Sequence, residues 1–374
     1  MNDKVYLLSL TVSGIKNIRN NVRLEFYKKT VNKSFDPSKH RVKAIYGENG
    51  CGKTAVITAA QILKDMICNR TCLDDPGYQD FLRGVINLLD KKLHLECEFY
   101  YYTEPANQIY HYTVDLIQND SGSYIVEFEE LTFRKADYPA SKITVAYGSG
   151  KELDVAGCDQ SDDEAAASAN DAADKHMAVL KELGACLCTN IVTGIDDIGR
   201  SADEMIDTSD EGLTRLTRFV KIIKSELVSI NAADSSFGSG SKLVLDYGEY
   251  RVSLDQEGSG IKQLIGLWPY MEAVESGRIV FIDGFDRDVN EIVLDRLIQY
   301  FTAYGNGQLC ITINNTSPMK ELRKYKNAID FLSSDGKLTR WRTSGNFSPD
   351  SLYKGGMIES LPFNIEPEDF LGRL

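Results

Sequence analysis

Apolar and polar residues alternate with period two over several stretches of this chain, which predicts strands at 5–12, 22–26, 92–101, 109–116, 123–133 and 143–147. The turn Asn119-Asp120-Ser121-Gly122 fits between two of them, so 92–133 reads as an antiparallel meander. Shorter, mostly apolar runs at 42–46, 279–283 and 308–314 read as buried strands. Helical spacing predicts helices over 55–67, 177–183, 213–228, 258–274 and 289–304. In 213–228 the apolar face is Leu216, Phe219, Val220, Ile223 and Leu227. Further strands are expected at 242–246 and 249–254, after Gly238-Ser239-Gly240. The closing strand–helix–strand succession implies an α/β chain with a mostly parallel sheet covered by helices. The last fifty residues pattern weakly and read as a cap. No internal repeat is visible.

The composition changes in the middle. From 152 to 174 there are eight acidic residues and no basic one, within an Ala-rich stretch. This divides the chain into an N-terminal lobe (1–149), a helical insertion with an acidic start (150–230) and a C-terminal lobe (231–374). The acidic start reads as a solvated loop or a partner surface. The net charge of −13 gives no general attraction to nucleic acid phosphates, so DNA or RNA binding would need a local basic groove. There is no run of eighteen apolar residues, and the start MNDKVYLLSL lacks a secretory signal pattern. Eight scattered cysteines suit a reducing, cytoplasmic setting. Cys186 and Cys188 form a C-x-C pair with no second ligand pair nearby, so thiols are expected there rather than zinc.

The chemistry centres on Gly47-Glu48-Asn49-Gly50-Cys51-Gly52-Lys53-Thr54, which fits G-x-x-x-x-G-K-[ST] between a strand and a helix. Backbone N–H groups and a helix N-terminus converge there on anionic oxygens. Lys53 would meet the β- and γ-phosphates of ATP, and Thr54 would help to hold Mg²⁺. Asp283, at the end of the apolar run 279–282, is the second metal candidate.

With those residues in view, the chain resembles the RecF/Rad50-like branch of the ABC ATPases. It is most similar to the stand-alone group that includes the overcoming-lysogenization-defect nucleases and the ATPase subunits of anti-phage defence systems. The resemblance rests on the start, the phosphate loop and the run EGSGIKQLIGLWPYMEAVESGRIVFIDGFD. It makes 47–54 the Walker A loop, 257–264 the signature and 279–283 Walker B. It implies a P-loop NTPase head of ABC type, with a mixed sheet and an inserted helical subdomain, that forms an ATP-sandwich homodimer. Ser259 and Gly260 of one head would then close over nucleotide held by the other.

Two departures bear on catalysis. Gly284 stands where relatives carry the Glu that polarises the attacking water. Asn314 stands where they carry a His that senses the γ-phosphate, and Asn cannot exchange a proton near neutral pH. Asp286 and Asp288 lie just beyond and are the remaining acids; their alternative is a turn and a helix cap. Gln79 reads as a surface residue. The expected function is an ATP-binding head that controls a separate effector protein, in anti-phage defence or DNA surveillance, with slow or partner-dependent hydrolysis. Alternatives are a nuclease component and a scaffold that uses ATP only as a ligand. About ninety residues follow Asp283, short for an added catalytic domain. A transporter ATPase or a kinase fits less well.

Overall fold

The computed structural model describes residues 5–27, 31, 35–102, 107–138, 142–148, 154–155, 163–191, 205–233, 243–342 and 347–358. The Gly238-Ser239-Gly240 turn and the last residues of the expected cap lie outside them.

The alternating segments form a seven-stranded antiparallel sheet in the order β2-β1-β4-β5-β6-β7-β8. Its strands are β1 (Val5–Ser13), β2 (Val22–Glu25), β4 (Lys92–Tyr101), β5 (Gln108–Gln118), β6 (Tyr124–Lys135), β7 (Ile143–Gly148) and β8 (Asp154–Val155). In β4 the burial alternates along the strand: Leu93, Leu95, Cys97 and Phe99 face the core.

The mostly apolar runs belong to a second sheet, in the order β16-β15-β3-β14-β13-β9. Here β3 (Val42–Tyr46), β9 (Leu187–Thr189), β13 (Ile279–Ile282), β14 (Gln308–Thr312) and β15 (Ile329–Leu332) run parallel, and β16 (Leu338–Arg340) is antiparallel. Every residue of β3, β13 and β14 is buried, as expected where helices or sheets cover both faces. One face packs on α1 (Lys53–Cys68), which is itself buried nearly all round and fills the space between the two sheets. The other face packs on α5 (Ser259–Glu275) and α6 (Glu291–Ala303), through Leu264, Leu267, Met271, Leu294, Ile298 and Phe301. The Gln308 side chain ties the sheets together: its Oε1 accepts from Leu7 N at 2.6 Å and its Nε2 donates to Leu7 O at 3.0 Å.

Between 150 and 230 the described residues hold helices α3 (Asp163–Cys186) and α4 (Asp210–Ile223), but also β8 at the edge of the antiparallel sheet and two further strands. One is β9, the edge of the parallel sheet. The other, β10 (Ser229–Ala232), heads a small antiparallel sheet with β11 (Leu243–Asp246) and β12 (Arg251–Ser253). The helix expected over 213–228 therefore starts and stops early. Ser209 caps it, its hydroxyl accepting from Gly212 N at 3.1 Å, and Asp210 and Glu211 complement the helix dipole. It ends at Ile223, and Val228 N already donates to Asp246 O at 2.8 Å. Gln79 lies on α2 (Pro76–Val85) and is buried, not at the surface. Its amide meets the start of β6, accepting from Tyr124 N at 2.7 Å and donating to Tyr124 O at 3.0 Å.

A buried ion pair joins β3 to β15. Lys43 Nζ on β3 sits 2.6 Å from Asp330 Oδ2 on β15, with side chains 1% and 0% exposed. Lys43 also donates to Asn327 O at 2.6 Å, and Arg340 approaches the other Asp330 oxygen at 3.4 Å.

Candidate functional site

The carboxyl ends of the parallel strands bring the candidate residues to one crevice, where ligands bind in open α/β sheets. The loop 47–52 leaves β3 and enters α1. Gly50 and Gly52 have φ of 84° and 108°, a region that only glycine adopts without strain, and it turns successive amides inward. Crowding fixes two of the glycines. A Cβ on Gly47 would lie 2.2 Å from Leu332 O, and one on Gly52 would lie 2.9 Å from Asn17 Oδ1. Asn17, in the β1–β2 turn, also braces the loop by donating to Gly50 O at 3.0 Å. Asn49 and Gly50 are exposed, so the cradle is open on its outer side. Glu48 is half-buried, Cys51 is buried, and burial pushes the Cys51 thiol pKa up.

Lys53 Nζ donates to Gly47 O at 2.7 Å and Glu48 O at 3.0 Å, which keeps the ammonium at the loop. Thr54 Oγ1 donates to Asp283 Oδ2 at 2.9 Å, joining residues 229 apart in sequence. These are hard oxygen donors, one from each motif, of the type that Mg²⁺ takes alongside water and phosphate.

Two residues that sequence reasoning missed complete this cluster. Thr312, at the end of β14, donates to Asp283 Oδ1 at 2.7 Å and accepts from Gly284 N at 2.8 Å. Asn190, just past β9, clasps the backbone of Asp283: its Nδ2 donates to Asp283 O at 3.0 Å and its Oδ1 accepts from Asp283 N at 2.8 Å. The available signal was a polar residue at the tip of an apolar run beside the motif strand.

The remaining candidates lie around this centre. Asp286 Oδ2 accepts from both Asn314 N at 2.8 Å and Asn315 N at 2.7 Å. Asp286 therefore braces the loop after β14, and the Asn314 side chain stands exposed there. Asp288 is exposed with φ of 55°. Gly284 has φ of 67°, and a Cβ there would lie 3.2 Å from Arg287 Nη2. A side chain at 284 would cost about 1–2 kcal/mol in backbone strain. The exposed Arg287 guanidinium lies beside this position.

Ser259 is exposed at the first turn of α5, after Gly258. Gly260 abuts the 286–288 turn: a Cβ on it would lie 3.0 Å from Asp288 O. Among the described residues, Ser259 and Gly260 share no hydrogen bond with the Thr54–Asp283–Thr312 cluster. Glu257 is held by Tyr247 Oη at 2.6 Å and Lys224 at 3.2 Å, which outweigh burial and keep its carboxyl below the usual range.

Two sizeable cavities lie elsewhere. One, of about 580 Å³, lies beside Arg70, Gln79 and Tyr124. The other, of about 970 Å³, is an apolar groove between α4, α5 and α6. No described helix is long and apolar enough to cross a membrane.

Fold and site together define a mixed α/β chain with a P-loop at the carboxyl end of its parallel sheet. No family model matches the sequence, and no curated protein does. Among solved structures, the SMC head domain from Thermotoga maritima is similar at 13% identity and a TM-score of 0.42, over 90% of this chain and 99% of that one. An SMC head bound to the C-terminal winged-helix domain of ScpA gives 12% and 0.45, over 92% and 99%. The recombination mediator protein RecF with ATP gives 10% and 0.38, over 90% and 99%.

Proposed function

We propose that this chain is a cytoplasmic, ABC-type head that binds Mg-ATP, pairs with a second copy on binding it, and so controls a separate effector. Anti-phage defence or DNA surveillance is the setting the sequence resemblance suggests. The observation that carries the reading is the meeting of Thr54 and Asp283 at the mouth of a glycine-built phosphate cradle. The loop amides and Lys53 would bind the phosphates. Thr54 and Asp283 would hold Mg²⁺, which neutralises phosphate charge when bound. Thr312 and Asn190 would keep the Asp283 carboxylate and backbone in place.

Hydrolysis is a separate matter. Position 284 carries no side chain, Asp286 Oδ2 already accepts from two backbone amides, and the exposed Arg287 guanidinium lies beside Gly284. An attacking water lacks a carboxylate to orient it, so turnover by the chain alone should be slow. These features also favour the second reading, in which ATP serves as a structural ligand without hydrolysis.

The cradle is open and the Ser259 helix start is exposed, so a second copy would close each site. Light scattering with Mg-ATPγS should report a doubled mass for wild type and the monomer mass for Ser259→Arg. A mass that ignores nucleotide in both proteins would contradict nucleotide-driven pairing.

A further inference from the structure

A buried string of polar groups runs from α2 to the back of Asp283. Tyr78 Oη donates to Asp65 Oδ2 at 2.8 Å. Asp65 lies on α1 and is 0% exposed. Its other oxygen accepts from Gln61 Nε2, one turn back along the same helix, at 2.6 Å. Gln61 Oε1 accepts in turn from the Thr189 hydroxyl at the end of β9. Thr189 Oγ1 accepts from Ile191 N at 3.3 Å, closing a turn around Asn190. Asn190 is the residue that clasps Asp283.

A buried carboxylate is an expensive way to fill this space, since an apolar side chain would pack without desolvating a charge. What the acid adds is direction. An ionised carboxylate only accepts hydrogen bonds, so it draws the NH₂ end of the Gln61 amide and turns the carbonyl end towards Thr189. Thr189 must then donate to Gln61, which leaves its lone pair for Ile191. A neutral group at 65 lets the Gln61 amide turn over, and the order of donors is lost.

We propose that Asp65 is a positioning residue for Asp283, acting through Gln61, Thr189 and Asn190. Thr54 holds Asp283 from the start of α1, and this string holds it from a point further along the same helix. The inference rests on the Mg-nucleotide reading above, because the property it sets is the fit of Asp283 to the metal.

The groups around Asp65 make the arrangement sensitive to pH. Tyr78 faces it from α2, Cys72 from the turn Arg70–Asp74, and Lys64 and Cys68 belong to its own helix. Burial dominates and pushes the Asp65 pKa up to about 7, against the hydrogen bonds from Tyr78 and Gln61 and the weaker pull of Lys64. A raised carboxyl pKa means that the folded chain holds this proton more tightly than the unfolded chain. Stability from this group is therefore greatest at acid pH and is lost as pH rises through about 7.

The test measures ATPγS affinity by calorimetry, with MgCl₂ and with EDTA, and takes the ratio as the magnesium gain. Thr189→Val cuts the string while keeping the side-chain shape, and Asp65→Asn removes the charge. Each should lower the magnesium gain about tenfold, as for other partners behind metal ligands, and leave the affinity in EDTA nearly unchanged. In wild type the gain should fall as pH drops through 7, and in Asp65→Asn it should stay low and flat. Urea melts of the nucleotide-free proteins give a second readout. Wild type should lose stability relative to Asp65→Asn between pH 5 and 8. A wild-type magnesium gain and pH profile in both variants would overturn the inference while leaving the nucleotide site standing. A wild-type chain that takes up no ATPγS would overturn the nucleotide reading, and this inference with it.

Discussion

Replacing Lys53 with alanine should leave a folded chain that no longer holds Mg-ATP. In the structure the ammonium donates to the carbonyls of Gly47 and Glu48. Losing two neutral-acceptor bonds at a half-exposed position costs about 1–3 kcal/mol, too little to unfold a chain of this size. The effect on phosphate binding is larger. A methyl group offers no charge to two phosphate groups, and no other described cation is bonded into the loop. Affinity should fall by at least about 100-fold, which corresponds to about 2.7 kcal/mol. Calorimetry with ATPγS, beside a circular-dichroism melt, measures both parts. Wild-type affinity in a folded Lys53→Ala protein would remove the phosphate role.

The second large effect should come from the buried ion pair between β3 and β15. Lys43 and Asp330 join β3 to β15 in a place water does not reach. Removing one partner strands the other charge, which costs about 3–5 kcal/mol. Lys43→Met leaves Asp330 with Arg340 alone at 3.4 Å, and Asp330→Asn leaves Lys43 with the Asn327 carbonyl. Either single variant should shift the urea midpoint far below wild type. The double variant Lys43→Met/Asp330→Leu should recover part of the loss, because neither charge is then orphaned. Single losses that simply add in the double variant would show that the two residues are not coupled.

That ion pair also explains what the sequence hid. Strands β3, β13 and β14 were legible because their apolar runs are almost unbroken, and the antiparallel meander because its alternation is regular. Asp330 interrupts β15, and its partner lies 287 residues away, so the last fifty residues read as a patternless cap. Strand β9 is three residues long and follows a helix without a break, so nothing set it apart from the helical insertion expected over 150–230. The phosphate loop and Asp283 were legible because glycine spacing and a carboxylate at a strand tip are local signals. Thr312 and Asn190 were not, since a threonine or asparagine after a strand is common and only the sheet order puts these two beside Asp283. The engagement of Asp286 by two backbone amides was hidden for the same reason. Sequence showed an acid just after Asp283, and only the fold shows that one oxygen of its carboxylate is already held by two backbone amides. Gly284 is a related case. Its missing side chain was visible, but its left-handed backbone and the guanidinium above it were not.

This chain should hold Mg-ATP firmly and hydrolyse it slowly. The most direct measurement mixes the protein in excess with radiolabelled Mg-ATP, removes free nucleotide on a desalting column, and follows the bound label with time. Label should elute with the protein and remain ATP for minutes, far longer than the roughly 0.1 s turnover of a typical enzyme. Label that fails to elute with the protein, or that is already ADP at the first time point, would contradict it.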